Sequence, residues 1–252
     1  MLIKAKDLNG YALLSKDGEI GKAKEFYFDD RFWVLRYLIA DTGNWLNNRS
    51  VLISPYALLE VNKKSKQVSV NLTKKQIEDS PSLDTDKPVS QQYEESYYGY
   101  YGWPVYWGGA SVWGNYPIIV RDSLKQEATN TGGKEWNPHL RSSIGVQGYH
   151  IEAEDGEIGH VEDYIIDDET WAIQYLVVDT RNWLPGKKVL ISPKWIERIS
   201  WDESKVFINL SIDTIKQSPE YSEEELLTRD YEALLYGHYN RVGYWNENTS
   251  SS

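Results

Sequence analysis

Apolar and polar positions alternate along much of this chain, and the alternation is written twice. Val68, Val70 and Leu72 are apolar at every second position, and Val206, Ile208 and Leu210 repeat the pattern 138 residues later. A period of two predicts strands with one buried face. Ile20–Phe28 and Ile158–Ile166 are rich in aromatic and β-branched residues and predict further strands. Trp33–Ala40 and Trp171–Val178 are the most apolar segments, as suits central strands covered on both faces. Turn formers separate these runs. Asp17-Gly18 and Asp155-Gly156 favour tight turns because glycine accepts positive φ, and Asp29-Asp30 and Asp167-Asp168 supply the next turn. Pro55 and Pro193 end Val51–Ser54 and Val189–Ser192, since proline cannot donate to a ladder. Short strands at this spacing predict a small barrel or sandwich, and closure would hide its edges.

The period then changes to helical. Ser90 and Thr228 are good N-cap residues; Tyr93, Tyr97 and Tyr100 follow on one helical face, as do Tyr231, Leu235 and His238. Gly99 and Gly102 are expected to break the first helix, with Pro104 preventing its resumption.

One constant offset aligns the two halves without a gap. Tyr11–Gly21 matches Tyr149–Gly159, Asp41–Leu46 matches Asp179–Leu184, and Val51–Pro55 matches Val189–Pro193. Roughly a third of the positions are identical over roughly a hundred residues, so the repeated unit is a whole domain rather than a solenoid module. The expected organisation is a first repeat at 1–81, an aromatic helical extension at 82–107 and a connector at 108–138. A second repeat at 139–219, a second extension at 220–245 and a disordered tail at 246–252 complete it. The fold class read from the pattern is therefore mainly β: two tandem small β-barrels or sandwiches, each followed by a short aromatic-rich helix.

Composition narrows the chemistry. The chain has no cysteine, which excludes disulfides, thiol nucleophiles and thiolate metal sites. No apolar run is long enough to span a bilayer, and Met1-Leu-Ile-Lys lacks the apolar core of a signal peptide, so a cytoplasmic, soluble protein is expected. The net charge of −11 argues against nucleic acid as a partner. The charge is unevenly shared: residues 1–81 carry 13 Lys and Arg against 10 Asp and Glu, a balance of +3, whereas residues 139–219 carry 8 against 14, a balance of −6.

Several residues have both a chemical and a structural reading. Asp17, Glu19, Asp29 and Asp30 recur as Asp155, Glu157, Asp167 and Asp168, and such carboxylates could hold a divalent cation or simply shape turns. Their spacing fits no EF-hand loop, so no metal site is expected. Asp41 and Asp179 end the central strand, where each could act as an acid or base or bond loop amides instead. None of His139, His150, His160 and His238 recurs in the other copy, and there is no nucleophile elbow or phosphate-binding glycine loop. No catalytic residue and no cofactor is expected. Trp45 and Trp183 could plug the fold or anchor a partner, tryptophan being enriched at binding hot spots. The aromatic run from Tyr93 to Trp107 could pack the helix or form an adhesive patch, with Tyr97, Tyr100, Tyr101, Trp103 and Trp107 as candidate contacts.

Gly-Glu-Ile-Gly, the Asp-Asp turn, Trp-x-x-x-Tyr-Leu, Asp-Thr-x-Asn-Trp-Leu and Val-Leu-Ile-Ser-Pro together resemble the PRC-barrel family. That family includes the cytoplasmic domain of the photosynthetic reaction-centre H subunit and a C-terminal domain of a ribosome maturation factor. The resemblance is greatest to stand-alone bacterial proteins with two such barrels and covers nearly the whole chain. It implies two tandem small β-barrels, each followed by an aromatic-rich helix, serving as a scaffold that docks onto other proteins. With no convergent catalytic set, the expected function is a non-catalytic protein-interaction or scaffold module, and homodimer formation is compatible with the duplicated design. Two alternatives stay open: a peripheral regulatory subunit of a membrane electron-transfer complex, and an enzyme with a site between the barrels. Features that differ between the copies are the place to look for a specific site.

Overall fold

A computed structural model describes residues 1–47, 49–81, 89, 91–106, 111–112, 116–117, 139–180, 187–224 and 226–249. The chain begins with β1 (Leu2–Lys4), α1 (Ala5–Leu8), β2 (Ala12–Ser15), β3 (Gly18–Asp29) and β4 (Val34–Asp41). There follow β5 (Ser50–Ile53), β6 (Leu58–Asn62), β7 (Gln67–Val70), α2 (Lys74–Glu78) and α3 (Gln91–Tyr101). A two-stranded ladder, β8 (Ser111–Val112) with β9 (Tyr116–Pro117), lies in the connector, whose other residues are outside those described. The second repeat contains β10 (Leu140–Ser142), α4 (Ser143–Val146), β11 (His150–Ala153), β12 (Gly156–Asp167) and β13 (Ile173–Asp179). It ends with β14 (Lys188–Ile191), β15 (Ile196–Ser200), β16 (Lys205–Ile208), α5 (Ile212–Lys216) and α6 (Arg229–His238).

The protein is mainly β, with two seven-stranded sheets. One runs β5-β4-β3-β2-β7-β6 with β10 added on β3, the other β14-β13-β12-β11-β16-β15 with β1 added on β12. Neighbours are antiparallel except β2 with β7 and β11 with β16. Among the described residues no ladder joins β5 to β6 or β14 to β15, the end strands of each sheet, so the expected closure by hydrogen bonds is not seen. At each of these points the chain instead passes through a one-turn 3-10 helix, Pro55–Ala57 or Pro193–Trp195. Its proline has no N–H to offer, and Ser54 or Ser192 caps the turn by accepting from the N–H of Tyr56 or Lys194.

The Gly-Glu-Ile-Gly motif has a local cause. Ile20 and Ile158 are extra residues in β3 and β12, each buried at a β-bulge opposite β2 or β11. The next residue, Gly21 or Gly159, has φ of +133° or +149° and lies against the backbone of Asp41 or Asp179. A Cβ there would stand 2.0 Å from that carbonyl oxygen, so only glycine fits.

The compact units are not the sequence repeats. One unit comprises Asp7–Ile144 with Asp168–Ala172, the other Met1–Lys6, Gly145–Asp167 and Ile173–Ser252. The reason is an exchange of first strands. Leu2, Ile3 and Lys4 pair with Asp167, Ile166 and Ile165 of β12, while Leu140, Arg141 and Ser142 pair with Asp29, Phe28 and Tyr27 of β3. Side chains secure each pairing. In the unit built on the second repeat, Lys6 Nζ is 2.6 Å from Glu223 Oε1, which also meets Lys188 Nζ at 2.6 Å, and the Lys6 N–H donates to Asp163. In the other unit Asp30 receives Arg141 Nε at 2.8 Å and pairs with His139 Nδ1 at 2.9 Å, and Ser142 Oγ donates to Glu25.

Candidate interaction site

The aromatic helix α3 does two jobs. Its inner face carries Glu94, Tyr97 and Tyr98, all fully buried in a core with Tyr37, Ile39, Leu52, Val89 and Tyr106. Tyr97, expected as a contact residue, is thus a core residue: its hydroxyl donates to the Leu52 carbonyl and accepts from the Ser54 N–H. Gly99 does not break the helix, which runs to Tyr101. Gly102 ends it with φ of +69°, the Trp103 N–H reaching back to the Tyr98 carbonyl and the Gly102 N–H to that of Gly99. This is a Schellman cap. Asn240 ends α6 in the same way, with bonds from Arg241 to Tyr236 and from Asn240 to Gly237. Ser90, expected as an N-cap, lies outside the described residues, whereas Thr228 caps α6 by accepting from the Tyr231 N–H.

The cap folds Trp103 back over the helix end, and a row of rings results. Tyr101 stacks on Trp103 at 4.5 Å and 14°, Tyr56 stacks on Trp103 at 5.7 Å and 29°, and Tyr100 meets Tyr101 edge-on at 4.8 Å. The Tyr100 and Tyr101 hydroxyls both donate to the Gln76 carbonyl of α2, which fixes the two rings. Burial holds the Tyr101 hydroxyl protonated, pushed up to about 12. These rings, with Asn71, Leu72 and Gln76, line a cleft of about 330 Å³. Among these rings Tyr100 is the most open, 41 % exposed. The matching positions of the second repeat hold Lys194, His238, Tyr239 and Arg241, so three of the four rings are peculiar to the first copy. His238 Nε2 takes up the place of the Tyr100 hydroxyl, 2.7 Å from the Thr214 carbonyl.

No protein-family model matches the chain, and no curated protein is detectably similar to it.

Of the candidate contacts, Tyr100, Tyr101 and Trp103 come together in the cleft. Trp45 does not line it: the ring is half-buried in the 3-10 turn Gly43–Leu46, with Lys74 Nζ 5.4 Å from its centroid. Trp107 and Trp183 lie outside the described residues. The acidic turns serve the backbone. Asp17 and Asp155 accept from the N–H groups of Lys74 and Ile212, the first residues of α2 and α5, and that bond together with the Ser15 hydroxyl holds the Asp17 carboxyl below its usual range. Asp29 accepts from the N–H groups of Arg31 and Phe32, and Asp41 from that of Gly43. Among the described residues no three His, Asp or Glu side chains converge as metal ligands would, and no helix is long and apolar enough to cross a membrane.

Sequence reasoning missed a buried carboxylate in each copy. Glu94 Oε1 accepts from the hydroxyls of Tyr37 and Tyr106, each at 2.8 Å. Glu232 Oε1 accepts from Tyr175 at 2.7 Å and Tyr244 at 2.9 Å, the residues 138 positions on. Burial, reinforced by the neighbouring carboxylate, drives the hydroxyls of Tyr37, Tyr106 and Tyr175 far above their ordinary range, so they remain donors. Tyr244–Thr249 form a 3-10 turn, which enters the stretch from 246 where a disordered tail is expected. The arginine beside this cluster changes place between copies. Arg36, fully buried on β4, lies 4.0 Å from the Tyr106 ring centroid and 3.5 Å from Asp29. Its counterpart is Gln174, and in the second copy Arg229 of α6, whose counterpart is Gln91, meets Glu232 at 3.0 Å. Arg36→Gln is expected to cost about 2–3 kcal/mol in urea denaturation, since the buried Asp29 carboxylate loses its cation.

Proposed function

We propose that this chain is a non-catalytic protein-interaction module built on two PRC-barrel-like units, with the aromatic cleft of the first copy as its contact surface. The observation that carries the reading is the row Tyr56, Trp103, Tyr101 and Tyr100, three of whose four rings have no counterpart in the second copy. The shared features of the two copies have structural employment: glycines at a backbone crossing, aspartates on turn amides, tyrosines on a buried glutamate. Open aromatic surface beyond that need suits recognition, because tyrosine and tryptophan give large contact area at low entropic cost. The barrel reading is supported by topology. The two end strands of each sheet are consecutive in the chain and joined by a single 3-10 turn, which requires the sheet to curl.

A photo-cross-linking phenylalanine derivative placed at Tyr100 in cells that make the full chain is expected to trap a discrete protein adduct. The same residue at Leu234, exposed on α6, should not. No adduct at position 100, or the same adducts from both positions, would remove the cleft from the function.

A further inference from the structure

We infer that His150 and His160 of the second repeat form a site for one divalent transition-metal ion of the imidazole-preferring class, Zn²⁺ or Cu²⁺. The two histidines face each other across the β11–β12 ladder, where they are direct Cα partners. The backbone bonds around them fix how closely they approach. The His150 N–H turns away from β12 to the Ser204 carbonyl, while the Val161 N–H reaches the Tyr149 carbonyl. His150 and His160 are therefore a non-hydrogen-bonded pair, the kind that brings Cα atoms to about 4.5 Å and side chains closest together. Both rings lie on the outer face of the sheet. Ile151 and Val161, the next residues along each strand, are fully buried on the inner face, whereas His150 is exposed and His160 half-buried.

One ring is already oriented. His150 Nδ1 is 2.9 Å from Glu157 Oε1. A carboxylate only accepts, so in the neutral ring Nδ1 carries the proton and Nε2 keeps its lone pair. A carboxylate behind the other ring nitrogen is the support that metal-bound histidines commonly have. The His160 ring has no hydrogen bond or ion pair among the described residues, which leaves it available as the second ligand.

The surroundings suit a cation. Lys205, the Cα partner of His150 on β16, is paired with Glu152 at 2.7 Å. That bond and charge, with the charges of Glu203 and Glu157 behind them, hold the Lys205 ammonium above its ordinary range. Three carboxylates thus act on a single ammonium beside the histidine pair. On the other side, the Cα partner of His160 is Asp179. No third His, Asp or Glu completes the set among the described residues, so two protein nitrogens would meet the ion and water would fill its other positions. Imidazole suits Zn²⁺ and Cu²⁺, whereas Ca²⁺ and Mg²⁺ take oxygen ligands. The first copy supplies an internal contrast. Ala12 and Lys22 hold the two positions there, and an ammonium has no lone pair to give. Glu19 matches Glu157, so the carboxylate is common to both copies and the histidines are what the second adds.

Calorimetric titration of the untagged full chain is expected to show one Zn²⁺ or Cu²⁺ bound per chain, Cu²⁺ the tighter, with Ca²⁺ and Mg²⁺ at least about a hundredfold weaker. His150→Ala and His160→Lys install the residues that the same fold carries in its first copy, so both variants should fold. Each should weaken Cu²⁺ binding about tenfold or more, and His238→Ala should leave it unchanged. The electron paramagnetic resonance spectrum of the Cu²⁺ complex should show coupling to two imidazole nitrogens in the parent and to one in either variant. Glu157→Gln, which acts through His150, should lose about tenfold in affinity while both nitrogens remain in the spectrum. No saturable binding of either ion below about a millimolar, affinity indifferent to His160→Lys, or a parent spectrum with a single nitrogen would each overturn the inference.

Discussion

Replacing Gly21 or Gly159 with alanine is expected to destabilise the protein by about 4 kcal/mol or more, among the largest effects a single methyl group can have. Two costs coincide at each site. The backbone φ of +133° or +149° lies in a region that a Cβ makes unfavourable by about 1–3 kcal/mol. The new methyl would also stand 2.0 Å from the carbonyl oxygen of Asp41 or Asp179, with the next backbone atoms within about 3 Å. That backbone has little freedom to withdraw. Asp41 and Asp179 pair with Lys22 and His160, the residues after the glycines, and Thr42 and Thr180 tie the following loop by donating to the Arg49 and Lys187 carbonyls. Gly99→Ala is the control. It sits in a helix with open space around its Cβ, and alanine there should be neutral or stabilise by up to about 1 kcal/mol. Urea denaturation of the three variants decides the matter. A Gly21→Ala protein within 1 kcal/mol of the parent would mean that the two strands part easily at that crossing.

Much of this fold is legible in the sequence because its local signals are strong. The Asp-Gly turns, the aromatic strands, the proline stops and the Thr228 cap each act over a few residues, and the structure places them where the pattern does. The exchanged first strands are not legible from periodicity, for a physical reason. Leu2–Lys4 and Leu140–Ser142 have equivalent partners in β12 and β3, so each could pair within its own repeat or in the other with the same register. What distinguishes the two sheets are unshared side chains, Lys6 with Glu223 in one and His139 and Arg141 with Asp30 in the other. The buried glutamates leave only a faint trace in the sequence. Glu94 and Glu232 hold the same helical position, and arginine moves between positions 36 and 229 while glutamine moves the opposite way. The cleft was half-legible. The surplus aromatics marked Tyr100, Tyr101 and Trp103, but Tyr56 lies some forty residues earlier and is brought in by the 3-10 turn.

Deleting Leu2–Lys6 should cripple the sheet built from the second repeat and leave that of the first nearly intact. The missing strand buries Ile3 and covers Ile165 and Ile166, all but inaccessible to solvent. Loss of one buried isoleucine costs about 2–5 kcal/mol, and the uncovered strand edge adds to it, so a total of about 4 kcal/mol or more is expected. Hydrogen exchange locates the damage: amides in 156–167 and 173–179 should lose protection, those in 18–29 and 34–41 should keep it. Ile3→Ala, losing about 3 kcal/mol in the same places, serves if the deletion does not fold. Protection lost instead from 18–29 would show that the strand pairs within its own repeat. Acid should mimic the deletion. Burial raises the Glu223 carboxyl, but hydrogen bonds and charge from Lys188 and Lys6 outweigh it and hold the group at about 2. A carboxylate depressed in the folded state stabilises above its ordinary pKa of 4.5 and loses that contribution as the pH falls towards 2. The anchor of Lys6 therefore weakens across that window, and exchange near β12 should accelerate there before the first repeat's sheet responds. Glu223→Gln should remove most of this acid step while lowering protection at neutral pH, and an unchanged acid profile in that variant would assign the step to other carboxylates.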